Sequence, residues 1–120
     1  MPEKLPKPFA RFQKNHPEMA EAYEALSAAC HAAGPLSPRE RALVKLAVAV
    51  GARLEGAVHA QVRKGLKAGL SPEDVRHAVY LSLTTIGFPS MMAALTWTGD
   101  LLPPEKKPGK GQREARKKKA

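Results

Sequence analysis

Residues 37–51 read Ser-Pro-Arg-Glu-Arg-Ala-Leu-Val-Lys-Leu-Ala-Val-Ala-Val-Gly, and this stretch decides the fold class. Ser37 has the hydroxyl of a helix N-cap, Pro38 suits the first helical position, and Glu40 stands where its carboxylate can reach back to the cap amide. Leu43, Val44, Leu46, Ala47 and Val50 then continue the helix to a stop near Gly51. After Ala42 the stretch is apolar on most sides, apart from Lys45. The pattern predicts a central, largely buried helix.

The same start signal recurs at Ser71-Pro72-Glu73-Asp74, before a helix expected to run to about Thr85 with Val75, Val79, Leu83 and Ile86 at helical spacing. Between these two starts, a helix from Arg53 or Leu54 to Ala68 places Leu54, Val58, Val62 and Leu66 on one face, with Gly69 closing it. Upstream, Pro17 to about Ala33 reads as a helix with Ala22, Leu26 and Ala29 in an apolar stripe beside Tyr23 and Cys30, ended by Gly34 and Pro35. Downstream, Gly87-Phe88-Pro89-Ser90 is a break with Ser90 as a cap, and a fifth helix covers Met91 to about Leu101. Pro103-Pro104 stops regular structure, and nothing in the chain alternates as a strand. The expectation is an all-α bundle of five main helices. A Pro-rich basic arm over 1–16, extended or mobile with Phe9 and Phe12 as anchors, precedes a helical domain over 17–102, and a disordered lysine-rich tail over 103–120 follows it.

A chain of 120 residues accommodates one domain. Its six aromatic side chains, Phe9, Phe12, Tyr23, Tyr80, Phe88 and Trp97, leave the core to Ala, Leu, Val and Met, which suits closely packed helices. The formal charge of +9 lies entirely in the ends. Residues 1–14 have four basic side chains against one acidic, residues 103–120 eight against two, and residues 15–102 eight of each. The tail could therefore contact nucleic acid through phosphates, while the neutral body, without interleaved aromatic and basic residues, offers no recognition surface. Cys30 is the sole cysteine, so no intrachain disulfide forms; it is expected as a buried packing residue. The first 14 residues lack the apolar run of a secretory signal, and the apolar stretch Ile86–Leu102 is broken by Gly87, Pro89, Thr96, Thr98, Gly99 and Asp100. A soluble, cytoplasmic protein without membrane contact is expected.

His59 is the residue singled out for chemistry. Glu55 stands one turn before it and Arg63 one turn after, and Glu40 opens the preceding helix. A carboxylate one turn from an imidazole can hold its tautomer for general acid or base work. Arg63 could grip an anionic substrate through a bidentate contact. The same spacing also suits a surface ladder of charges worth a few tenths of a kcal/mol to about 1 kcal/mol. His16, His31, His59 and His77 lie far apart without clustered carboxylates, so no metal site is expected. No cofactor is expected either: there is no nucleotide-binding glycine loop, and Gly65, Gly69 and Gly87 read as helix-interior and helix-ending residues.

From Ser37 to about Phe88 the sequence resembles the carboxymuconolactone decarboxylase and alkylhydroperoxidase D-like family. The features are Glu40, then His59 nineteen residues later, then Ala68-Gly69-Leu70-Ser71-Pro72-Glu73-Asp74-Val75 and the Gly87-Phe88-Pro89 break. In the peroxidase branch the resemblance implies a Cys-x-x-Cys-x-x-x-His motif assisted by an upstream glutamate. Glu40 and His59 match the glutamate and histidine, but Ala52 and Glu55 occupy the two cysteine positions. Thiol attack on a hydroperoxide, with a second sulfur to resolve it, is thereby disfavoured. The decarboxylase branch is similar at the same place, with Glu55-x-x-x-His59 and no cysteines. It implies His59 as the proton-transfer residue, Glu55 as its orienting partner and Arg63 as an anion contact for a small carboxylated lactone or related acid; Glu40, the match to the upstream glutamate, stands beside them as a candidate catalytic carboxylate. It also implies a homo-oligomer, a trimer or hexamer. A non-catalytic helical oligomer is the alternative, since the apolar residues of 44–50 and 91–97 exceed what a small monomer buries with ease.

Overall fold

The computed structural model describes residues 6–106, and among them the chain is all-α. Seven helical segments follow in order: α1 (Lys7–Asn15), α2 (Pro17–Ala32), α3 (Pro38–Ala52), α4 (Glu55–Lys67), α5 (Pro72–Leu81), α6 (Leu83–Ile86) and α7 (Phe88–Gly99). They fall into two units, one ending at Ser37 and one beginning at Pro38. The lysine-rich tail beyond 106, and with it the nucleic-acid contact expected of it, lies outside the described residues.

The first unit is α1 followed by α2. The N-terminal arm, expected to be extended or mobile, is helical over Lys7–Asn15. Pro6 stands at the N-cap with Pro8 in the first turn, where proline's fixed φ favours a helix and its missing N–H costs nothing. Lys14 in the last turn suits the negative helix end. Phe12 packs on His16, ring centroids 5.6 Å apart, rather than entering a core. Neither helix has a buried residue. Cys30, expected as a buried packing residue, is consequently exposed.

The second unit holds the core. Leu46, Ala49 and Val50 of α3, Val58 and Val62 of α4, Val75 and Val79 of α5, and Met91 and Ala94 of α7 form it, with Leu70 and Leu102 from the connections. The largest contact is between α3 and α4, and α7 packs against α4 and α5. The expectation of a largely buried α3 fails on one side. Val44 and Val48 are 49% and 66% exposed; Val44 and Ala47 line an open groove.

The turns explain the register. α3 ends with Arg53 in the left-handed region (φ 57°). The Leu54 N–H reaches the Ala49 carbonyl and the Arg53 N–H the Val50 carbonyl, a Schellman closure on a residue other than glycine. α4 ends in the same way on Gly69 (φ 102°), with Leu70 N–H to the Gly65 carbonyl and Gly69 N–H to the Leu66 carbonyl. Leu70 then folds back over Gly65, where an added Cβ would lie 2.8 Å from its Cδ1. Alanine at 65 would therefore require the terminal methyl of the buried Leu70 to shift.

α5 begins with the expected capping box: the Ser71 hydroxyl accepts from the Asp74 N–H at 3.0 Å, and the Asp74 carboxylate accepts from the Ser71 N–H at 2.9 Å. Arg39, in the first turn of α3, reaches the same carboxylate at 2.8 Å. The bond from the Ser71 backbone N–H is the main reason the Asp74 carboxyl is held below the usual carboxylate range; partial burial opposes this, and the Ser71 side chain and Arg39 add to it. A carboxyl depressed in the folded state stabilises above its unfolded value, and that contribution is lost as pH falls through the folded value. Asp74→Asn is therefore expected to melt below wild type at pH 7, with the gap closing as pH falls below about 4 in parallel thermal melts. A gap independent of pH would show that the charge contributes nothing.

The helix expected to continue to Thr85 instead breaks at Ser82, whose hydroxyl donates to the Val79 carbonyl at 2.6 Å and so competes with the helical ladder. The short α6 follows. α7 starts three residues earlier than expected, at Phe88, because Gly87 (φ 94°) makes the break itself and Pro89 occupies the first turn; Ser90 is inside the helix.

Candidate functional site

α4 is positioned by Val58 and Val62, both fully buried, which commits the intervening turn to a fixed orientation. On its other side Glu55, His59 and Arg63 occupy successive turns. His59 is half-buried, with 29% of its side chain exposed. Its Nε2 lies 3.0 Å from Oδ2 of Asp100, the residue that caps the C-terminal end of α7. A carboxylate only accepts, so Nε2 is the donor of this bond and Nδ1 is the ring nitrogen left outside it.

Asp100 was not among the residues singled out from sequence, yet it is the carboxylate His59 meets. One signal does point to it. An acidic side chain at the negative end of a helix is electrostatically misplaced, so its presence there calls for a positive or proton-donating partner. The side chain is 56% exposed, and the partner found is His59.

The other expected residues are placed as follows. Glu55 is the first residue of α4, exposed, where its charge suits the helix N-terminus. Arg63 is half-buried one turn beyond His59 and has interactions of its own. Glu40, also engaged, is exposed in the first turn of α3, with the rest of that helix between it and the turn at Arg53. Ala52 and Glu55 flank that turn as the last residue of α3 and the first of α4.

The described residues also enclose hollows. A groove of about 530 Å³ runs between α3, α5 and α6, lined by apolar side chains such as Leu43, Val44 and Leu81, with Arg39, Asp74 and His77 among its polar residues. His59 is not in its wall. A smaller hollow of about 310 Å³ lies between α5, the end of α7 and residues 102–105. Among the described residues, no group of three or more His, Cys, Asp or Glu side chains could hold a metal ion. No described helix is long and apolar enough to cross a membrane.

The carboxymuconolactone decarboxylase family profile matches residues 17–100, most of the chain. The chain belongs to the carboxymuconolactone decarboxylase family. Its only cysteine, Cys30, lies in α2, so it is a carboxymuconolactone decarboxylase family member without a cysteine pair at the α3–α4 turn. No curated protein and no solved structure matches it.

Proposed function

We propose that the protein transfers a proton, in the manner of a carboxy-lyase, on a small carboxylated lactone or related acid. The His59–Asp100 pair at 3.0 Å carries this reading, because it is an oriented imidazole in a chain that lacks the paired thiols for peroxide chemistry. Loss of carbon dioxide leaves the electron pair of the broken carbon–carbon bond as an enolate, and a proton must then reach carbon. His59 in its protonated form delivers that proton from Nδ1 and regains it from water, while Asp100 fixes which nitrogen faces the substrate. Arg63, one turn along α4, is assigned the substrate's negative charge. Glu55 and Glu40 are kept as supporting carboxylates, Glu55 through its place on the same helix and Glu40 through the family motif.

The test is ultraviolet-monitored turnover of a panel of carboxylated lactones, with an organic hydroperoxide as control substrate. Lactone turnover with no hydroperoxide consumption supports the reading. Hydroperoxide consumption that disappears in Cys30→Ser would contradict it.

Self-association is part of the same proposal. Val44, Val48, Leu81, Phe88 and Met92 each leave a substantial apolar area exposed, and burial between copies would remove it from water. Light scattering should return a mass that is a multiple of 12.9 kDa; a mass of one chain at micromolar concentration would rule it out.

A further inference from the structure

Asp100 holds its place by unusual means. It stands at the end of α7 where the helix dipole repels it, and more than half of its side chain is in water. The chain beyond it is nevertheless fastened at three successive points. Leu102 is inserted into the core. The Pro103 carbonyl accepts from the Arg76 guanidinium. The Glu105 carboxylate accepts from the Tyr80 hydroxyl at 2.8 Å. Both anchors are on α5, one helical turn apart, and both line the hollow beneath this strap.

Residues 103 and 104 are consecutive prolines, whose fixed φ angles make the strap stiff. A stiff strap pinned to α5 limits how far the last turn of α7 can swing, and Asp100 caps that turn. Glu105 thus has a place in the fold despite belonging to the segment expected to be disordered.

We propose that Arg76 and Tyr80 are positioning residues for the His59–Asp100 pair, acting through the 101–105 strap. Neither would touch the substrate. As a role in catalysis this rests on the proton-transfer reading above; as a mechanical coupling it does not. The strap keeps the Asp100 carboxylate within hydrogen-bond distance of Nε2, and loosening it frees the imidazole to turn.

The experiment reads the ring itself. Histidine side-chain ¹⁵N–¹H spectra of the labelled full chain at mildly alkaline pH, with His59 assigned by its loss in His59→Gln, report the Nε2 and Nδ1 shifts. Asp100→Asn should move both. Tyr80→Phe and Arg76→Met should each move them in the same direction by a smaller amount, with helical circular dichroism unchanged. In the Asp100→Asn background, Tyr80→Phe should add nothing, because its effect passes through Asp100. Unchanged His59 shifts in both α5 variants would overturn the proposal, as would a Tyr80→Phe effect of equal size with and without Asp100. If the shifts behave as expected but no lactone turns over, the coupling stands and the proton-transfer reading fails. If turnover is found, Tyr80→Phe should lower kcat and leave KM in place.

Discussion

Leu46→Ala should lower the thermal midpoint by roughly 10–25 °C, the largest stability effect expected of a single truncation in this chain. Leu46 is fully buried in α3, in the cluster that also holds Val58 and Val62 of α4 and Val75 and Val79 of α5. Truncation removes the transfer free energy of the lost methyl groups and leaves a void that neighbours fill only in part. Such a change costs about 2–5 kcal/mol. The upper part of that range is expected, because the core is built from β-branched valines, which are stiff at χ1 and cannot turn into the space. In a chain whose whole margin is of order 5–15 kcal/mol, this is a large share. Thermal and urea unfolding monitored by circular dichroism measures it. A midpoint within about 3 °C of wild type would mean that the core is looser than described.

His59→Ala should reduce lactone turnover by about 10²- to 10⁴-fold, the usual contribution of a positioned proton-transfer group. The fold should survive, since the side chain is partly exposed and Asp100, its partner among the described residues, is more exposed still. Asp100 left alone at the surface is solvated by water and does not become a buried unpaired charge. Asp100→Asn should reduce turnover less, because the imidazole is still present and only its orientation is relaxed. Equal losses in both variants would instead make Asp100 a participant in the chemistry itself. Undiminished turnover in His59→Ala, with folding verified, would remove the residue from the mechanism.

The helical architecture was legible wherever local chemistry is strong. Ser71-Pro72-Glu73-Asp74 announced α5 and its cap, and Gly69 announced the end of α4, because a cap or a left-handed turn is decided by residues within one turn of it. Where tertiary or weaker local effects decide, reading failed. The Pro-rich, basic composition of 1–16 points to an extended or mobile arm, yet Pro6 and Pro8 stand where proline favours a helix start, and Lys7–Asn15 is helical. Ser82 interrupts a periodic apolar pattern through a side-chain bond that periodicity does not register. Cys30 and Val48 look like core residues by type, but whether such a face is covered depends on what packs there.

The site was half legible. His59 was found from its helix and motif, with Glu55 and Arg63 on the same face. Asp100 is 41 positions away, and only the packing of α7 against α4 brings it to the imidazole. The same is true of the strap: Tyr80 and Glu105 are 25 residues apart, on a helix and in a tail that sequence assigned to different domains.

The most direct measurement is turnover of carboxymuconolactone followed by ultraviolet absorbance, wild type beside His59→Ala, with both shown by circular dichroism to be equally folded. Loss of absorbance by the wild type, accompanied by carbon dioxide release and reduced at least 100-fold in the variant, is the predicted result. Equal rates in the two proteins would contradict the assignment of proton transfer to His59, and no turnover of this or any related carboxylated lactone would contradict the carboxy-lyase reading as a whole.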